Sequence, residues 1–232
     1  METVPLLFWI GAFGISATVV TTWGILLVLG VGGWLATRRL SAENPGLVQT
    51  ALEGAVQAIE NAIEAVLPGC AGLLLPFIGT LWLFVAVANL TGLVPGLHSP
   101  TGNLSTTAAL AVLVFLSVHW FGIRSEGLKA YLRHYLSPSP ILLPFHLLGE
   151  LSRTLALAVR LFGNIMSLEM AALLVLLVAG LLVPVPVLML HIVEALVQAY
   201  IFGTLALIYI AGGMQSREES AESNPIKEGT KP

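Results

Sequence analysis

The stretch LLPFHLLGELSRTLALAVRLFGNIMSLEMAALLVLLVAG, Leu142 to Gly180, decides how this chain is read. As one straight helix, its roughly 39 residues would be about 58 Å long, nearly twice a hydrocarbon core of about 30 Å. Such a helix must tilt steeply, bend, or lie partly along the membrane plane. Inside it, between Leu155 and Met170, stands Arg160. Its guanidinium cannot shed its proton to escape an oily environment. The only other charge between those two residues is Glu169, nine positions on.

The rest of the chain is as apolar. Of 232 residues, 56% are hydrophobic and 10% charged, against roughly 25% charged in a soluble domain. The mean hydropathy is +0.91. These values define a polytopic helical membrane protein, and the net charge of −3 says little about partners. One cysteine, Cys70, excludes an internal disulfide and reads as a small buried or interfacial side chain. The first fifteen residues hold no Lys or Arg, and Arg38-Arg39 follows the first apolar run. That order favours a retained first helix over a cleavable signal peptide.

Five spans are predicted, over residues 14–36, 73–94, 106–123, 142–180 and 187–210, within one transmembrane domain of residues 1–214. A polar tail, 215–232, reads as flexible and cytoplasmic. Of the ten Lys and Arg, eight lie outside the spans: Arg38, Arg39, Arg124, Lys129, Arg133, Arg217, Lys227 and Lys231. Basic residues are retained on the cytoplasmic side. All eight fall there if the N-terminus is outside and the C-terminus inside. Between the first two spans, PGLVQTALEGAVQAIENAIEAVLPG (Pro45 to Gly69) spaces Leu52, Val56, Ile59, Ile63 and Val66 by threes and fours. Glu53, Glu60 and Glu64 fall elsewhere on the wheel. This is an amphipathic interfacial helix, over about 45–68, whose acidic face suits a cytoplasmic protein neighbour or plain solvation.

The expected fold is therefore all-α: five spans and an interfacial helix, the last two spans forming a long, tilted antiparallel hairpin. Ionisable groups at membrane depth are costly and often mark ion pathways. The last two spans hold Glu150, Arg153, Arg160, Asn164, Glu169, His191, Glu194 and Gln198. Arg153, Arg160 and Asn164, spaced by seven and four, share one face, with Glu169 close to the opposite face. His191, Glu194 and Gln198 form one stripe. If the two segments fold antiparallel, Arg160 pairs with Gln198 and Glu169 with His191 in one register, centred near Gly180. Glu169 beside His191 makes a proton-relay pair, because imidazole and carboxyl groups exchange protons readily. Gln198 carries no charge and can only orient the guanidinium through its amide oxygen. A guanidinium without a fixed carboxylate makes a good electrostatic gate: it attracts a carboxylate on a moving partner and repels free cations.

Blander roles stand beside these. Arg160 could pair with Glu150 or a backbone carbonyl. Arg153 with Glu150 suits a structural or interface pair as well as a functional one. Asn164 could simply bond a neighbouring helix, and His191 could be a satisfied buried histidine. Asn89, with Gly92 and Pro95, reads as a helix-end packing device. Trp9, Trp23, Trp34, Trp82 and Trp120 read as lipid-facing or interfacial anchors. His119, His134 and His146 show no metal-ligand pattern, and there is no GxxxxGK loop. Neither a metal, another cofactor nor direct ATP binding is expected, and nucleic acid is not expected as a partner.

The stretch SRTLALAVRLFGN, with Glu169 five residues on, and HIVEALVQAYIFGTLALIYI resemble subunit a of the F-type ATP synthase membrane sector. NLTGLVPG (Asn89 to Gly96) and SPSPILLPFHLLGELS (Ser137 to Ser152) are similar to that family too, and VTTWGILLVLGVGGWLATRRL more loosely. The resemblance covers most of residues 73–212. It implies an ion-translocating stator subunit in a bacterial-type plasma membrane, held by lipid and peripheral-stalk b subunits. Its two half-channels face a ring of c subunits, each bearing one ion-binding carboxylate. In that scheme Arg160 separates the half-channels, Gln198 lies beside it, and Glu169 with His191 matches the outer access path. Thr154 stands where many members have proline, Gly92 where some have an acid, and Glu194 is an added acid without an assigned role. The ion is expected to be a proton, with sodium as the alternative. A secondary transporter fits five unequal spans poorly, and a structural scaffold leaves the shared register unexplained.

Overall fold

The computed structural model describes residues 6–10, 13–38, 46–94, 97–127, 143–179 and 184–222. Among the described residues there are six α-helices: α1 (Ala17–Thr37), α2 (Leu47–Val66), α3 (Ala71–Leu90), α4 (Leu104–Glu126), α5 (Leu143–Ala179) and α6 (Pro184–Glu222). Five of them are long and apolar enough to cross a membrane, all but α2. The all-α class expected from the sequence is the class observed. A short antiparallel hairpin, β1 (Leu6–Ile10) with β2 (Phe13–Ser16), precedes α1 and was not expected. Its first strand, LLFWI, is apolar throughout and lacks the alternation that would mark a strand in the sequence.

The long fourth span is one unbroken helix of 37 residues, α5. With no break to shorten it, its length has to be accommodated by inclination or gentle curvature. α6 has 39 residues and runs through Glu222, well past residue 210. The stretch QSREESAE, read as the start of a flexible tail, is helical because Gln, Arg, Glu and Ala favour helix and no Gly or Pro intervenes. Residues 223–232 lie outside the described residues, as do Lys129, Arg133 and His134.

α6 lies at the centre of the bundle, packing on α3, α4 and α5. Its buried face is mostly small or aliphatic: Ala195, Ala199, Phe202, Ala206, Leu207, Ile210 and Ala211. Small residues let backbones approach closely, the main source of helix association where lipid is as apolar as leucine. At Gly203 the approach is closest: a β-carbon there would coincide with the Trp82 indole of α3. Trp82 also meets Tyr200, ring centroids 5.5 Å apart. It is therefore a packing residue at the α3–α6 contact, a correction to its reading as a lipid or interface anchor. Trp23, Trp34 and Trp120 are exposed, as anchors should be, and the side chain of Trp9 lies outside the described ones.

The α2 stripe is split. Ile59 and Ile63 are buried, whereas Leu52 and Val56 remain exposed. Ile59 reaches Gly79 of α3, so the C-terminal half of α2 docks on the bundle. α1 is almost wholly exposed, with only Ile25 buried.

Candidate functional site

Near the end where α5 hands over to α6, a polar network ties three segments together. Asn89, fully buried in α3, donates from Nδ2 to the Ala195 carbonyl of α6 at 3.1 Å. Its Oδ1 accepts from Thr101 Oγ1 at 2.7 Å. Thr101 and Ser99 hydroxyls lie 2.7 Å apart, and Ser99 Oγ donates to the Ala88 carbonyl at 2.8 Å. Both belong to the connection that enters α4 through a 3-10 turn at Pro100–Gly102. Buried polar groups hold position only when satisfied, so these bonds fix the connection over the bundle. Asn89 acts as the packing device its sequence setting suggests, and as a clamp on α6.

That connection delivers the Glu169 carboxylate's partner. The Ser99 backbone N–H donates to Glu169 Oε1 at 3.1 Å. Two glycines leave room for the carboxylate: β-carbons at Gly92 and Gly102 would each lie 3.2 Å from a Glu169 oxygen. The Gly92 position is also 3.5 Å from His191 Cε1, so Glu169 and His191 flank one point. His191 is 2% exposed, and its Nε2 is buried with no hydrogen-bond partner among the described residues. An imidazole nitrogen beside a carboxylate that accepts from a backbone N–H is an arrangement that can take up or pass on a proton.

One level further into the bundle, Asn164 Nδ2 of α5 donates to Gln198 Oε1 of α6 at 2.8 Å. This differs from the expected register by one turn of α5, because the Gln198 oxygen meets the amide of Asn164 instead of Arg160. The amide four residues on lies in the seam between the helices, where the arginine does not. Gln198 is 2% exposed, Asn164 is half-buried and Arg160 is exposed. Among the described residues Arg160 has no ion pair and no hydrogen-bond partner, which removes its pairing with Glu150. Glu194, also on α6, is half-buried.

At the opposite end of α5, Glu150 is half-buried and Arg153 exposed. Among the described residues they form no ion pair with each other. The Arg153 guanidinium lies 6.0 Å from the centre of the Tyr209 ring, and both line a small cavity with Glu150 and Thr154. Thr154 Oγ1 caps the Glu150 carbonyl at 2.9 Å.

The sequence reading missed Ser99, Thr101 and Gly102. Two act through hydroxyls in a short connection, and the contact that matters most to Glu169 is a backbone N–H, which every residue but proline carries.

These features define a class: a multi-pass helical membrane protein in which Glu169 and His191 flank one glycine and, among the described residues, an exposed arginine has no ion pair. The family described as ATP synthase A chain matches residues 18–211. The chain is 64% identical over 230 residues to ATP synthase subunit a 2 of Pelobacter propionicus, covering 99% of this chain and 100% of that protein. It is 62% identical to ATP synthase subunit a 1 of Hahella chejuensis (94% and 92% covered). To ATP synthase subunit a of Legionella pneumophila strain Paris it is 54% identical (94% and 95% covered). The chain belongs to the ATP synthase subunit a family, and so is a membrane component of an F-type ATP synthase that assembles with other subunits of that complex.

Proposed function

We propose that this chain is the ion-translocating stator subunit of its complex, working against a ring of c subunits and held by the peripheral-stalk b subunits. The N-terminus is outside and the C-terminus cytoplasmic, from the placement of eight basic residues. The end of the bundle where α5 closes and α6 begins then lies at the outer side. Glu169 and His191 belong to the outer half-channel. Glu150 and Arg153 sit at the cytoplasmic end, where a second half-channel opens. The single observation carrying this reading is the exposed Arg160, without an anion of its own chain among the described residues. A buried or exposed guanidinium at this depth is costly unless an anion is supplied. A ring carboxylate moving past supplies it. The arginine stabilises the ionised form of that carboxylate, so the ion it carried must leave. Between passages the same charge repels free cations and prevents a leak. Nucleotide chemistry takes place on other subunits.

The ion assigned is the proton, because Glu169 and His191 provide a carboxyl–imidazole pair where sodium would want several oxygen ligands. Two measurements test this. Arg160→Ala, in assembled complex, should abolish proton-driven ATP synthesis and raise passive proton leak; synthesis at the wild-type rate would sink the proposal. ATP synthesis with and without sodium, in the presence of a protonophore, separates the ions: sodium-supported synthesis would transfer the assignment to sodium.

A further inference from the structure

Glu194 is the only carboxylate in the candidate span Pro186–Met214 of α6, and the scheme above leaves it without a task. Helix geometry places it. On α6, Ala195 faces α3 and Gln198 faces α5, as their hydrogen bonds to Asn89 and Asn164 require. Glu194 lies further round in the direction of Gln198, past the seam, at the edge of the buried face. On α5, Leu161 and Ala158 are buried in the bundle, Asn164 faces the seam, and Arg160 lies past it. The two helices run antiparallel, so both displacements lead to the same side. Arg160 and Glu194 share the exposed face of the α5–α6 pair.

Depth follows from the rise per residue. Arg160 precedes Asn164 by four positions and Glu194 precedes Gln198 by four, in opposite chain directions. The hydrogen-bonded amides therefore separate the two charges, each about 6 Å from them along the axis and about 12 Å from one another. Glu194 is on the side where α5 closes and α6 begins, near the level of Glu169 and His191. It is three residues from His191, a spacing that brings β-carbons to about 5–6 Å. His191 faces inward and its Nε2 has no partner among the described residues. Among the described residues Glu194 also has no hydrogen bond or ion pair.

We propose that Glu194 is the last station of the outer half-channel, the group that exchanges a proton directly with the ring carboxylate. In synthesis its carboxylate takes a proton from the His191 side. The resulting carboxylic acid then gives that proton to a ring carboxylate, which turns away neutral; Glu194 is left ionised and ready again. In hydrolysis the same transfers run backwards. The separation of about 12 Å from Arg160 lets the ring carboxylate be loaded at Glu194 without simultaneously contacting the arginine. This assignment rests on the ion-path reading above and names the point where that path meets the rotor.

The test uses the whole complex in membrane vesicles, with subunit content checked for assembly. Glu194→Gln should lower both ATP synthesis and the passive proton conduction of vesicles stripped of their catalytic sector. A loss of about a hundredfold is expected for a positioned proton-transfer group. Glu194→Asp should recover much of it. In a Cys70→Ser background, Glu194→Cys should be inactive, regaining conduction with a carboxylate-bearing thiol reagent but not with its neutral amide analogue. Wild-type conduction in assembled Glu194→Gln overturns the proposal. So does equal recovery with both reagents, or failure of both the Gln and Cys variants to assemble, which would make the carboxylate structural. Glu169→Gln and Arg160→Ala serve as controls. If Glu169→Gln also conducts normally and Arg160→Ala still synthesises ATP, the ion-path reading itself fails. If those two behave as expected and Glu194→Gln is silent, only Glu194 loses its role.

Discussion

At the scale of single residues, the Asn164–Gln198 hydrogen bond is the hinge between packing and chemistry. It occupies one lone pair of the Gln198 amide oxygen and sets Asn164 in the seam, with the arginine on the exposed face and, among the described residues, not bonded to that oxygen. Asn164→Leu should strand a buried acceptor at a cost of about 1–3 kcal/mol. ATP synthesis should fall without being abolished, because the charge of Arg160 remains. Adding Gln198→Leu should restore stability, measured by thermal loss of assembled complex, and not activity. A second residue-scale prediction concerns the glycine beside the carboxylate. A methyl at Gly92 would lie 3.2 Å from Glu169 Oε1 and 3.3 Å from Ser99 Cβ, too tight without movement. Gly92→Ala should therefore slow proton conduction more than it lowers assembly; an equal effect on both would reduce this glycine to packing. The candidate site was partly legible in the sequence because polar residues in an apolar span must have a reason. Arg160, Glu169, His191 and Gln198 stood out on that ground. The bonds between Asn89 and Ala195, 106 positions apart, and between Ser99 and Glu169, 70 apart, did not. Neither a backbone donor nor the orientation of an amide leaves a mark on residue spacing.

At the scale of elements, α6 packs through small side chains, and the Trp82 indole of α3 seats against Gly203 between Ala199 and Ala206 on that same face. Gly203 has no tolerance for a side chain while that indole is in place. Gly203→Ala should cost about 1–3 kcal/mol through overpacking, seen as a lower temperature for loss of folded protein in detergent. Removing the opposing ring should relieve the strain: the second substitution in Trp82→Ala/Gly203→Ala should cost less than it does alone, with a coupling of about 0.5–3 kcal/mol. Additive losses would mean that the two do not share a contact. The same elements show where periodicity succeeds and where it stops. Apolar length located all five candidate spans, and the three-four spacing of α2 located its stripe. Which half of that stripe would be buried was set by Gly79, on another helix, against Ile59. The continuation of α6 through Glu222 was concealed because a charged composition suits a surface helix as well as a loop.

At the scale of the whole molecule, the arrangement of charge along the membrane normal gives the proposed direction of ion flow. Eight basic residues fall on one side of the predicted topology, and the segments assigned to the other side carry none. In that proposed orientation the Glu169–His191 cluster lies towards the outside and Glu150 with Arg153 towards the cytoplasm. Reversing the orientation would exchange the two half-channels and deliver protons first to Glu150. Single cysteines decide between these in a Cys70→Ser background. His98→Cys is exposed in the connection between α3 and α4, and Thr37→Cys is exposed at the far end of α1. With intact cells, a membrane-impermeant maleimide should label the cysteine at 98 and spare that at 37; inverted vesicles should give the opposite. The reversed pattern would leave the fold and the family unchanged, because neither depends on which side is which. It would, however, make Glu194 a station of the cytoplasmic path, since its place on the α6 wheel moves with the helix and not with the membrane.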